Sequence, residues 1–111
     1  NGVTDMATLE YLTVGEARKV RALVRAILAT GANVSVHDGE EWTVKKSRDN
    51  ETIIAALGTT GTDTLRVRDM DGARLGDFEL IYGNDPDGTE VISDHTANAF
   101  CEAVYNKLGI N

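Results

Sequence analysis

The stretch 63-DTLRVRDMDGARLGDFELIYG-83 reads as a β-hairpin, and the rest of the chain is arranged around it. Asp71-Gly72 is the turn signal. Gly accepts positive φ and Asp tolerates it, so the pair predicts a two-residue type I′ loop. With that loop Met70 faces Ala73, Asp69 faces Arg74, Arg66 faces Asp77 and Leu65 faces Phe78. Side chains alternate along a strand. One face then carries Leu65, Val67, Phe78, Leu80 and Tyr82 and is expected to line the core. The other carries Thr64, Arg66, Arg68, Asp77 and Glu79, with Leu75 and Ile81 as apolar exceptions. Facing opposite charges add about 0.2–1 kcal/mol per pair, and a one-residue slip would turn the apolar set to water. Leu75 and Ile81, with Met70 near the tip, predict cover by a helix or by a second subunit, since an exposed apolar strip marks an interface.

Upstream, Thr13 and Glu16 form a capping box that opens a helix running to about Thr30, with Gly31 behind it. Val20, Leu23, Val24, Ile27 and Leu28 give it one buried stripe. Ala32 to Val36 and Trp42 to Lys46 predict a second hairpin. An odd loop of three or five residues around Asp38-Gly39, with a bulge, would set Val36 opposite Trp42. Ser47 or Asp49 caps a short helix to Leu57, with Ile53, Ile54 and Leu57 inward and Gly58 closing it. Thr59 to Thr62 is then a loop. Downstream, NDPDG at 84–88 is a dense turn, Glu90 to Ser93 a short strand, and Asp94 or Thr96 the cap of a last helix to about Leu108. Its inner face is Ala97, Phe100, Cys101, Val104 and Leu108. The expected fold is α+β: a mainly antiparallel sheet of about five strands, built from two hairpins plus a short strand and packed by an N-terminal helix, a C-terminal helix and one short helix. Residues 1–7 read as a flexible lead, either an expression remnant ahead of a natural start at Met6 or a native disordered segment. Residues 8–111 read as one domain, with Thr8 to Leu12 a short strand or lead-in.

Composition excludes several classes. No apolar run approaches the ~18 residues that span a bilayer, and there is no signal-peptide pattern. The single Cys101 cannot close an internal disulfide, which fits a reducing, cytoplasmic setting. The net charge of −7 disfavours general nucleic-acid binding, which needs a basic footprint. The first helix runs against this trend, holding four of the eleven basic residues and one of the eighteen acids.

Asp85, Asp87, Gly88 and Asp94 mimic part of a calcium loop, but Gly83 stands where the first carboxylate is needed, so a polar turn is the better reading. His37, His95 and Cys101 lack the paired spacings of a zinc site. Cys101 on an apolar helix stripe is expected to be buried and inert. The glycines match no phosphate-cradling motif. No cofactor, metal or catalytic residue is therefore assigned. Arg18, Arg21 and Arg25 form a basic stripe that could grip phosphates, with Lys45, Lys46 and Arg48 as a second patch. The plainer alternative is a solvated face paired with acids of the same chain or of a dimer mate. Asp38, Glu40 and Glu41 at one hairpin tip, with Asp85, Asp87 and Glu90 at another loop, form an acidic face suited to phosphate-binding sites on a partner.

The run DTLRVRDMDGARLGDFELIYGNDPDGTEVISD resembles small uncharacterised proteins encoded by bacteriophages and prophages, most closely in LIYGN and EVISD. The resemblance implies an accessory role toward a host protein rather than housekeeping enzymology, and it carries no site residues with it. Together these readings predict a non-enzymatic protein that binds a host protein through its acidic face. The alternatives are a nucleic-acid module using the helix stripe and an enzyme with an unrecognised carboxylate site. A homo-oligomer is a further expectation.

Overall fold

The computed structural model describes residues 12–83 and 86–109. The deciding hairpin is formed by β3 (Thr62–Arg68) and β4 (Arg74–Ile81), with Leu65 facing Phe78 and Arg66 facing Asp77 as expected. Its tip differs from expectation. The Asp69 amide donates to the Ala73 carbonyl (2.9 Å) and the Gly72 amide to the Asp69 carbonyl (3.0 Å), so the loop is Met70-Asp71-Gly72 and not a two-residue turn. The Asp69 carboxylate is the cause: it accepts from the amides of Asp71 and Ala73, both at 2.9 Å. Arg68 then faces Arg74, and a bulge at Leu75 restores the expected register from Val67–Gly76 onward.

The first helix, α1 (Val14–Ala29), opens on the expected box. The Glu16 amide donates to Thr13 Oγ1 (3.1 Å), and the Thr13 amide donates to Glu16 Oε1 (2.9 Å). Strands β1 (Asn33–His37) and β2 (Trp42–Ser47) form the second hairpin, but its loop has four residues. His37, not Val36, faces Trp42, and Val36 faces Val44. The Asp38 carboxylate sets this length by accepting from the amides of Glu40 (2.8 Å) and Glu41 (2.9 Å). A first bulge follows at Thr43. A second irregularity lies between Val34 and Val36, where Lys46 takes a φ of 54°.

The short helix α2 (Asn50–Ala56) is capped by Asp49, with Ile53, Ile54 and Leu57 buried. Strand β5 (Ile92–His95) lies two residues later than expected. Thr96 fixes its end: the Asp77 amide donates to Thr96 Oγ1 (2.9 Å) and the Thr96 amide to the Asp77 carbonyl (3.0 Å). The last helix, α3 (Ala99–Gly109), is therefore capped by Asn98 and not by Asp94 or Thr96, and Ala97 is exposed ahead of it. Asn98 Oδ1 accepts from the Cys101 amide (2.9 Å), while Asn98 Nδ2 donates to the Leu75 carbonyl in the β4 bulge (2.8 Å).

All strand pairs are antiparallel, in the order β2-β1-β3-β4-β5. The α+β expectation holds. The helices cover one face. Val20, Leu23 and Ile27 of α1, Ile53 of α2, and Cys101 and Val104 of α3 pack with Val34, Val36, Leu65, Val67, Phe78 and Leu80 of the sheet. Two contacts allow only glycine. A Cβ at Gly15 would lie 2.2 Å from the Pro86 carbonyl oxygen, so the 86–88 loop sits directly on the first turn of α1. A Cβ at Gly76 would lie 2.3 Å from Cys101 Sγ, so α3 rests on the β4 bulge.

The opposite sheet face carries no helix among the described residues. Leu75 is half-buried against the core, Met70 is exposed at the hairpin tip, and Ile81 is 36% exposed at the other end of β4. The expected apolar strip is thus split between the two ends of the strand. Residues 1–11, which include the expected lead and most of the Thr8–Leu12 segment, lie outside the described residues. No described helix is long and apolar enough to cross a membrane.

Candidate functional site

The two acidic loops, some fifty residues apart in sequence, leave the sheet at the same end. His37 faces Thr64, Thr62 faces Ile81, and the Tyr82 amide donates to the Gly61 carbonyl (3.0 Å), so the β1–β2 tip and the segment after β4 emerge side by side around β3. Thr60 Oγ1 donates to the Asp38 carbonyl (3.3 Å) and ties the tip to the turn before β3. Glu40, Glu41, Asp87 and Glu90 are exposed. Asp38 differs from them. Its carboxylate is engaged by the Glu41 and Glu40 amides, which hold its pKa below the ordinary value, so it shapes the loop. Asp85 lies outside the described residues.

Beneath this end sits a buried acid that motif reasoning missed. Asp63 Oδ2 accepts from the Tyr82 hydroxyl (2.6 Å) and the Gly58 amide (3.0 Å), while Oδ1 has no partner. Burial pushes the Asp63 carboxyl up and, with Asp63 beside it, pushes the Tyr82 phenol up as well. The strict alternation Asp63, Leu65, Val67 was the signal for it.

The basic residues are regrouped. Arg18 and Arg25 of α1 are exposed and Arg21 is half-buried. Arg18 and Lys19 share a depression of about 360 Å³ with Asp87, so an acid adjoins the stripe at its N-terminal end. Arg48 does not join Lys45 and Lys46 in a patch. It donates through Nη2 to the Leu28 carbonyl in the last turn of α1 (2.8 Å) and through Nε to the Ala32 carbonyl in the link to β1 (3.2 Å), tying the start of α2 to the end of α1.

In its place, the helix-free sheet face assembles Lys45 and Lys46 of β2 with Arg66 and Arg68 of β3 around Ser35 of β1 and Trp42. These six line a depression of about 210 Å³. The Arg66 guanidinium lies 5.0 Å from the centroid of the Trp42 ring, and His37 meets that ring edge-on at 4.9 Å. Asp77 grips Arg66 with two bonds of 3.0 Å and also binds Arg74. Burial alone would raise the Asp77 pKa, but the two guanidiniums outweigh it and hold the carboxyl below its ordinary range. Lys45, Lys46 and Arg68 have no carboxylate partner among the described residues. Toward β4 and β5 the same face turns acidic, with Asp77, Glu79 and Asp94. Sequence reading assigned Arg66 and Arg68 to the polar side of their hairpin but did not join them to β2, because the pairing of β1 with β3 is not encoded in either hairpin alone.

The remaining candidates stay apart. Cys101 is buried, which raises its thiol pKa, and His95 packs between Phe78 and Tyr105 at ring distances of 5.9 and 5.2 Å. No group of three His, Cys, Asp or Glu among the described residues is placed to hold a metal ion. No protein family, no curated protein and no solved structure matches the chain.

Proposed function

We propose that this is a non-enzymatic accessory protein, of the phage-encoded kind its hairpin run resembles, that docks its acidic end on a basic surface of a host nucleic-acid-handling protein. The observation that supports the reading is the shared end of the sheet. Glu40 and Glu41 on one loop and Asp87 and Glu90 on another are exposed together, on a chain of net charge −7. Asp38 and the Gly15–Pro86 contact brace the backbones of both loops, so the positions from which these side chains extend are set before a partner arrives. Carboxylates displayed in this way steer encounter with a basic groove and compete with phosphates for it.

The test is capture of host proteins by the wild-type chain and by the variant Glu40→Lys/Glu41→Lys/Glu90→Lys, with duplex DNA as competitor. The expected result is one nucleic-acid-handling protein that is retained by wild type, released by DNA and by rising salt, and lost in the variant. Retention that is unchanged by charge reversal would overturn the acidic-end reading. Direct binding of DNA by the purified chain that is lost in Arg18→Gln/Arg25→Gln would favour the α1 stripe instead.

A further inference from the structure

We propose that the basic half of the open sheet face binds a small molecule bearing one or two phosphate groups, held between Lys45 and Lys46 of β2 and Arg68 of β3. This surface is separate from the acidic end, and the inference does not depend on the reading above.

The geometry is a trough. Strand β1 lies between β2 and β3, so the two cationic walls stand two strand spacings apart, about 10 Å between backbones. Lysine and arginine side chains are long enough to converge across that gap on one tetrahedral anion. Ser35 is the floor. It is 3% exposed, and its Oγ accepts from the Lys46 amide at 2.9 Å, which leaves the hydroxyl hydrogen to donate into the trough it lines. Lys46 adds a second sign at the same β2 irregularity. It is the one described non-glycine residue with positive φ, at 54°. A lysine held in a conformation that glycine adopts without strain is the kind of outlier that collects at ligand sites. Arg66 is committed to Asp77 and Trp42 and serves as a fixed edge to the trough.

The extent of the charge selects the size of the ligand. The trough ends at β4, where Asp77 and Glu79 begin the acidic half of the face. A nucleic-acid strand crossing the sheet would lay its phosphates against those acids, on a chain that is acidic as a whole. A compact phosphorylated molecule, such as a nucleotide, stays within the basic half.

Trp42 borders the trough and is the only tryptophan, so its fluorescence reports directly on occupancy. The probes are inorganic pyrophosphate, ADP, adenosine and a short oligothymidylate, each at matched ionic strength, with the amide shifts of Ser35 and Lys46 followed by NMR as a second readout. Pyrophosphate and ADP are expected to give saturable changes, and adenosine none. Lys45→Gln and Arg68→Gln, both surface changes, are each expected to weaken ADP about three- to tenfold. The proposal is overturned if neither readout saturates with pyrophosphate or ADP, if sodium chloride reproduces the response, or if both variants bind like wild type. Tighter binding of oligothymidylate than of ADP would replace the small ligand with a nucleic-acid strand and equally overturn it.

Discussion

Two residues hold conformations or charges that the fold does not favour, and each makes a prediction. Lys46 is held left-handed where the second β2 irregularity meets Ser35. Left-handed backbone costs a side-chain-bearing residue about 1–2 kcal/mol, part of which glycine returns through its greater freedom in the unfolded chain. Lys46→Gly is therefore expected to raise the unfolding free energy in urea by about 0.5–1 kcal/mol while weakening pyrophosphate binding. A loss of stability would show that the Lys46 side chain contributes packing that outweighs its strain. Asp63 makes the second prediction. Its folded pKa is raised by burial, so the native state binds a proton more readily than the unfolded chain does. The resulting stabilisation is present at low pH and is lost as pH rises from the ordinary carboxylate range through the raised pKa. In Asp63→Asn, the amide oxygen can accept from Tyr82 and Gly58 without carrying charge. Denaturation at pH 4 and pH 7 should show the variant gaining on wild type as pH rises, and a constant difference would mean that Asp63 is not perturbed. Alternation along β3 placed Asp63 on the core side, so its burial was legible. Its bond to Tyr82 was not, because it depends on where the chain goes after β4.

At the scale of elements, hydrophobic period and capping chemistry fixed each helix and strand by type, while side-chain-to-backbone bonds moved their ends. Asp38, Asp69 and Asn98 each accept from amides two to four residues ahead, and each gave a turn or a cap a length or position other than the one expected from turn pairs, register or capping residues. Such local competition is a known habit of Asx side chains. It selects among turns of similar energy, which is why residue pairs such as Asp-Gly locate a turn better than they size it. The same residues then couple elements. The bulge that absorbs the extra loop residue of the β3–β4 hairpin places Gly76 under Cys101, and Asn98 bonds to Leu75 within that bulge. Gly76→Ala should accordingly cost about 2–3 kcal/mol, from overpacking against α3 and from its positive φ. Removing the sulfur in Cys101→Ala should recover part of that cost, so the double variant should be more stable than additivity requires. A strictly additive cycle in guanidinium unfolding would place the strain of Gly76→Ala in the backbone alone.

At the scale of the whole molecule, charge is distributed by topology more than by local sequence. The crossover through α2 sends β3 to the far side of β1, and this one step creates both candidate surfaces. It brings the β1–β2 tip beside the segment after β4, and it sets Arg66 and Arg68 two strands from Lys45 and Lys46. Each hairpin could be read alone with its polar and apolar faces, yet neither contains the information that joins them, so Arg66 and Arg68 were legible as polar-face residues but not as neighbours of Lys45 and Lys46. The same topology bears on self-association. Cover by a helix or by a second subunit was expected over Leu75, Ile81 and Met70. The bulge instead turns Leu75 toward the core, while Met70 and Ile81 end up at opposite ends of the hairpin. What lies between them on the open face is Arg66, Asp77 and Glu79, already paired with one another or with Thr64. Stacking two copies through that face would desolvate these charges with little apolar area in return, a poor exchange for an interface core. The open face of the described residues therefore argues against self-association through that face. Light scattering across a dilution series is expected to return 12.0 kDa throughout. A concentration-dependent rise to twice that mass, abolished by Ile81→Lys, would instead locate a dimer on the open face and close the phosphate trough to ligand.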